Sequence, residues 1–479
     1  MSGFREYDNY DALGLAALVR NGEVSATELL EEAINRTEKI NPAINAVVQF
    51  HYDEARAAIK AGLPDGPFTG VPFLLKDLNI LLKGTVTSMG SALFKDYKAT
   101  LNSTLTERYI KSGVVIFGKT NSPEFGALPV SEPLLFGPTR NPWDLDRTPG
   151  GSSGGASAAV ASGILPMANA SDGGGSIRIP AACTGLVGYK PTRGRTAMGP
   201  VIGEGWGGQS ISHVVSRTVR DSAAMLDATT GPEPGDPYAP PYFAGQFLDE
   251  VGKVPSRMRV AVIPEKIGSG SYSSEIQAAL QDSAKLIADL GHDVIEATPE
   301  VDGLALQYAS VALLGANLAL KVTEQLENLG RSLEDGDLEP GTRGLIEYGK
   351  TLNAEACAKA SQINHVSARI MGRFHEQYDV ILSPTLASLP VPIGQFMDGD
   401  IGEKLGAFMA NTSMFNQTGQ PSISLPLVWS ESGLPIGMML SAAFGNDALL
   451  FQLAGQLELT RPWADRRAPH HTSAAAYLG

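Results

Sequence analysis

Gly70-Val71-Pro72-Phe73-Leu74-Leu75-Lys76-Asp77 is the stretch on which the fold class turns. Val71 to Leu75 is a short apolar run after Pro67, and it stops at a charged pair. A run of that length bounded in that way reads as a buried strand. Val114 to Phe117 is a second such run, ended by Gly118-Lys119-Thr120-Asn121. The segments upstream read as helices. Asp11 to Arg20 carries Leu13, Ala16, Ala17 and Val19 and is closed by Asn21-Gly22. Ser25-Ala26-Thr27-Glu28 has the capping-box form, and Leu29, Leu30, Ala33, Ile34 and Ile40 follow at helical spacing. Downstream, Arg259 to Ile263 and Val294-Ile295 flank an amphipathic Ser274 to Leu290, a βαβ-like piece expected on the same sheet. Tyr378 to Leu382 and Ser422 to Leu427 are further buried-strand candidates, while Pro264 to Ser273 and Pro390 to Asp400 read as surface loops. Strands alternating with helices predict an α/β protein.

The composition bounds the rest. With 479 residues, 43% hydrophobic and 18% charged, the chain is globular and long enough for a large core. Its net charge of −14, without a Lys/Arg-rich run, disfavours nucleic acid and anionic lipid as partners. Two cysteines, Cys183 and Cys357, allow neither a disulfide framework nor a CxxC metal site. The residues Met1 to Tyr10 lack a signal-peptide pattern, and no run of 18 uncharged apolar residues occurs. A cytoplasmic protein without a membrane span is expected.

Two segments carry chemistry. Pro149-Gly150-Gly151-Ser152-Ser153-Gly154-Gly155 and Ser171-Asp172-Gly173-Gly174-Gly175-Ser176-Ile177-Arg178 each place serine among glycines. Such turns let successive N–H groups converge on one oxygen, which is what a tetrahedral acyl-transfer intermediate requires. Taken alone, Gly/Ser-rich segments are more often loops without chemistry. Residues 137–209 are nevertheless poor in charge runs, unlike a solvated linker, and read as ordered loops around a site. Gly150 to Gly154 matches G-x-S-x-G, but Asn141 to Thr148 before it does not read as the strand that a nucleophile elbow needs. None of the seven histidines lies in either serine segment. A serine nucleophile still needs a base. Lys76, at the end of an apolar run, could be desolvated into a neutral amine, or could simply pair with Asp77 at a strand end. The residues alone favour the second reading.

The motifs together resemble the amidase signature family. Gly70 to Asp77 is similar to its strand motif. Gly150 to Gly155, Ser171 to Arg178 and Gly188-Tyr189-Lys190-Pro191-Thr192 resemble its Gly/Ser-rich signature. Asp379 to Thr385 and Asn416-Gln417-Thr418-Gly419-Gln420-Pro421-Ser422 look like its C-terminal motifs. The matches run in order over nearly the whole chain, which one Gly/Ser run would not. The resemblance implies one α/β domain over residues 1–479, with a central mixed sheet covered by helices on both faces. A helical part would occupy residues 1–66, the catalytic core 67–230, and the remaining sheet and pocket loops 231–479. It implies Ser176 as nucleophile, Ser152 as proton relay and Lys76 as base. It implies an oxyanion hole from backbone N–H groups of Gly173, Gly174, Gly175 and Ser176, and an acyl-pocket loop at Phe125-Gly126. No cofactor and no metal are expected. At Gly173 the chain departs from the family, where threonine or isoleucine is commoner. Asp172 and Arg178 are expected to be structural and Cys183 a packing residue. Trp206 and Phe415 read as core more readily than as pocket.

The implied activity is hydrolysis of a small-molecule carboxamide, with a homodimer allowed. Thr139 to Leu145 and Asn416 to Pro421 look most like the branch that opens 6-aminohexanoate cyclic dimer and related nylon oligomers, and other aliphatic or aryl amides fit the same chemistry. Two rivals stand beside this reading. One is the amidase component of a tRNA-dependent amidotransferase, disfavoured because Phe408 to Phe415 lacks the acidic residue expected there. The other is a non-catalytic scaffold, disfavoured because all three triad side chains are present.

Overall fold

A computed structural model describes residue 4, residues 6–397 and residues 401–474. The first residues of the chain and the end of the expected 390–400 loop lie outside the described residues. Near the N-terminus the local signals act as expected. The helix Ala12–Asn21 starts where the Asp11 side chain accepts from Gly14 N, and stops at Gly22 with φ of 73°. The helix Ala26–Ile44 starts at a complete capping box between Ser25 and Glu28 and buries Leu29, Leu30, Ala33, Ile34 and Ile40.

The described strands are β1 (Val47–Phe50), β2 (Pro72–Lys76), β3 (Val115–Thr120), β4 (Met167–Asp172), β5 (Val187–Lys190), β6 (Ile211–Ser216), β7 (Arg259–Val262), β8 (Asp293–Glu296), β9 (Val380–Pro384), β10 (Ser422–Trp429) and β11 (Pro435–Ala442). Eight of them form one mixed sheet in the order β4-β6-β5-β10-β11-β9-β7-β8. The β7–β8 and β7–β9 pairs are parallel, and the pairs from β4 to β11 are antiparallel. The βαβ piece therefore joins this sheet, whereas β2 and β3, the apolar runs that announced the fold, form a separate three-stranded sheet with β1. The expectation of one sheet shared by all these strands is thereby corrected. Hydrophobic runs show that a strand is buried, not which neighbour it pairs with.

Alternation along the strands separates two apolar layers. Val187, Tyr189, Ile423, Leu425, Val380, Leu382, Met438 and Leu440 face the helices Val219–Thr229, Ser274–Asp289 and Asp447–Thr460. Ala261, Ile381 and Met439 face the other way, against Leu306, Met371, Met414 and Phe415 from three further helices. Gly188 and Gly437 lie under Ala181 and Ala182 of the helix Arg178–Thr184 on that second face. The helix Gly303–Leu329 is long and apolar enough to cross a membrane by length and composition. In this fold it packs along the helices Pro340–Thr351 and Ala354–Phe374 and buries Leu306, Ala309, Leu313 and Leu318.

Asn169 joins the two sheets. Its Oδ1 accepts the Lys76 N–H at 3.1 Å, and its Nδ2 donates to the Tyr109 hydroxyl and the His213 carbonyl. This bond ties the end of β2 to the middle of β4.

Candidate active site

Lys76 is the last residue of β2 and is 1% exposed. Its Nζ donates to Ser152 Oγ at 2.7 Å, Ser153 Oγ at 3.0 Å and Ser171 Oγ at 3.1 Å. Among the described residues the amine is thus held by three hydroxyls and by no carboxylate. Burial draws its pKa down to about 7, against a weaker opposing pull from Asp172. Asp77 does not pair with it. The carboxylate of Asp77 accepts from the backbone N–H and hydroxyl of Ser88, as alternation along an extended chain requires.

Ser152 and Ser153 stand in the turn before the helix Gly154–Ala161, and the Gly151–Ser152 peptide is cis. Gly126, φ of 72°, lies directly against the Ser152 side chain. Ser176 stands in the turn between β4 and the helix Arg178–Thr184. That turn is held by Asp172. Its carboxylate accepts from the N–H groups of Gly175 and Ile177 at 2.7 and 3.1 Å, and from Arg178 Nε and Nη2, both at 2.9 Å. Burial alone would raise the Asp172 pKa, but the fully buried Arg178 guanidinium holds it well below the usual carboxylate range. Asn416 Nδ2 adds bonds to the Asp172 carbonyl and carboxylate, and the Thr412 hydroxyl donates to the Gly174 carbonyl.

This network corrects one expected donor. The Gly175 N–H is committed to Asp172. Among the described residues the N–H groups of Gly173, Gly174 and Ser176 have no hydrogen-bond acceptor, and they remain as candidate oxyanion donors. The commitment depends on where a side chain three positions earlier folds back, which a run of glycines does not reveal.

A cavity of about 250 Å³ opens over Ser176, Gly173, Gly174 and Gly126. Its lining contains no histidine, Asp or Glu among the described residues, and Lys266 supplies a cation. Phe125 falls elsewhere. It is buried against Phe94 and borders a neighbouring cavity of about 430 Å³. Trp206 lines both cavities, while Phe415 is core, as expected of it. Cys183 is fully buried, with a thiol pushed far up by burial, and acts as packing. The hydroxyls of Ser153 and Ser171 were visible within the motifs, but their convergence on Lys76 was not. Asn169 and Thr412 carried no local signal at all.

The amidase family model matches residues 28–451. A 6-aminohexanoate-cyclic-dimer hydrolase of Paenarthrobacter ureafaciens is 36% identical over 476 residues, covering 95% of this chain and 96% of that protein. The structure of a 6-aminohexanoate cyclic dimer hydrolase superposes with a TM-score of 0.90 at 35% identity, over 96% of this chain and 99% of that one. A glutamyl-tRNA(Gln) amidotransferase component from Thermotoga maritima is more distant, with a TM-score of 0.74 and 26% identity over 96% of this chain and 97% of that one. On the matched motifs, the shared fold and this near full-length similarity, the chain belongs to the amidase signature family and is a hydrolase of non-peptide carbon–nitrogen bonds.

Proposed function

We propose that the chain hydrolyses small carboxamides through an acyl-enzyme on Ser176, with cyclic or linear 6-aminohexanoate oligomers as the first substrates to test. The observation that carries this reading is the buried Lys76 amine, 2.7 Å from Ser152 Oγ and with a pKa drawn down to about 7. Ser176 Oγ attacks the amide carbon and passes its proton to Ser152, which gives its own to the neutral amine of Lys76. The oxyanion meets the N–H groups of Gly173, Gly174 and Ser176. As the carbon–nitrogen bond breaks, the proton returns through Ser152 to the leaving amine. Water, deprotonated by the same relay, then attacks the ester, releasing the acid and restoring Ser176.

The similarity to the cyclic-dimer hydrolases supports the substrate class, and so does a chamber whose described walls are apolar and polar, with Lys266 as their one charged side chain. The amidotransferase reading fits less well. The α-ammonium of glutamine calls for a carboxylate, and no Asp or Glu lines the cavity among the described residues. The test is a panel of cyclic, linear aliphatic and aryl amides plus glutamine, followed by amine release. Turnover of one or more amides, lost in Ser176→Ala, is expected. Glutamine as the only substrate hydrolysed would overturn the substrate reading, and undiminished turnover by Ser176→Ala would overturn the nucleophile.

A further inference from the structure

Gly173 lies in the Ser176 turn, and its surroundings leave no room for a side chain. A methyl group built on Gly173 would overlap Cε3 and Cζ3 of Trp206. The indole therefore occupies the volume that a side chain at position 173 would fill. Trp206 is the one residue, among those described, that lines both the chamber of Ser176 and the neighbouring larger cavity. The larger cavity presents an apolar wall of Leu78, Met89, Phe94 and Phe125.

The backbone shows that this placement is enforced. Trp206 has φ of 55°, followed by Gly207 at 65° and Gly208 at 77°. A left-handed conformation is costly for a bulky side chain and persists only where its surroundings hold it. Here the Trp206 carbonyl accepts from Gln209 Nε2 at 2.9 Å. The Gln209 carbonyl accepts from Asn416 Nδ2 at 3.0 Å, and the same amide group holds Asp172. The wall and the Ser176 turn are thus anchored to one side chain.

We propose that Trp206, seated on Gly173, is a specificity-determining partition that restricts the enzyme to compact amides. It closes the reaction chamber against a second chamber, whose apolar wall of Leu78, Met89, Phe94 and Phe125 can take an aliphatic arm although Glu204, Lys321 and Glu324 also line it. The inference rests on Ser176 being the reacting serine.

The test compares short- and long-arm amides in two series, fatty-acyl p-nitroanilides from acetyl to decanoyl and N-alkyl acetamides of matching length. Alkyl fluorophosphonates with short and long arms report Ser176 reactivity without turnover. Trp206→Ala is expected to raise the long-to-short ratio of kcat/KM in at least one series, and of labelling rates, by about tenfold or more, the scale on which apolar pockets discriminate. Trp206→Leu, a shorter apolar wall, gives a smaller rise of the same sign and serves if the alanine variant does not fold. Gly173→Ala should slow labelling of the wild-type chain about tenfold and cost less than about threefold in a Trp206→Ala background, because contacting residues couple. Unchanged ratios in both series, or an equal cost of Gly173→Ala in both backgrounds, overturn the partition. A wild-type chain whose Ser176 neither labels nor turns over any amide overturns the Ser176 reading itself, and the partition with it.

Discussion

A lysine stripped of water gives up its proton near neutrality, and that is the setting of Lys76: buried, held by three hydroxyls and drawn only weakly the other way by Asp172. As a base it works deprotonated, so kcat/KM should rise with pH through about 7 and level off on the alkaline side. Lys76→Ala should lose several orders of magnitude. Lys76→Arg should not recover them, since a guanidinium stays charged. An active arginine variant with the same pH profile would reduce Lys76 to an electrostatic role. Ser176→Ala should abolish turnover with an unchanged melting temperature, because it removes one oxygen from a loop side chain that lines the cavity. At this scale the sequence was informative about identity and silent about partners. Lys76 stood out by ending an apolar run, and alternation sent Asp77 to the other side. That three serines from two segments meet its amine depends on β2 lying beside β4, a long-range packing in which the Asn169 bridge takes part.

The helix Gly154–Ala161 shows how an element is placed by what it lacks. In an exposed helix, replacing glycine by alanine stabilises by about 1 kcal/mol. Gly155 sits in the first turn, where an added Cβ would lie 2.5 Å from the Asn121 nitrogen and 2.7 Å from the Ala46 carbonyl. The helix can approach the end of β3 only because that carbon is absent, and the approach carries Ser152 and Ser153 to Lys76. Gly155→Ala should therefore destabilise, by about 1–3 kcal/mol as overpacked cores do, with Lys76-dependent activity falling in parallel. A more stable, fully active variant in urea titrations would show that the contact has slack. Elements of this kind were largely legible: the capping box, the closing Gly22 and the strand runs all act through neighbours in sequence. The division into two sheets was not, because apolar runs at β2 and β7 look alike whichever ladder they join. The place of Trp206 between two cavities was hidden for a similar reason. A lone aromatic in a glycine-rich loop carries no mark of the ring's destination.

For the molecule as a whole, the absence of any metal-ligand cluster among the described residues predicts that chelators leave turnover unchanged. Loss on chelation, restored by one added divalent ion, would refute this. Its response to acid depends on groups far from the cavity. His213, in the middle of β6, is fully buried between the sheet and the helix Val219–Thr229, with Nε2 3.0 Å from Ser222 Oγ and its ring edge-on to Tyr189. Burial draws its pKa from 6.5 to about 3. Below pH 6.5 the unfolded chain binds a proton at this position and the folded chain does not, so the stabilising contribution is lost as pH falls. Asp221 and Glu458, both raised to about 7 by burial, act in the opposite direction over part of this range, so the absolute slope does not isolate His213. The difference between two curves does. His213→Gln keeps a polar group near Ser222 and removes the titration. The stability of wild type relative to this variant should then fall by about 1.4 kcal/mol per pH unit below about 6.5. Urea unfolding of both proteins at intervals from about pH 7.5 to about pH 4 measures it. Parallel curves would mean that His213 is protonated in the folded chain at ordinary acidic pH, and that the layer under β6 admits water.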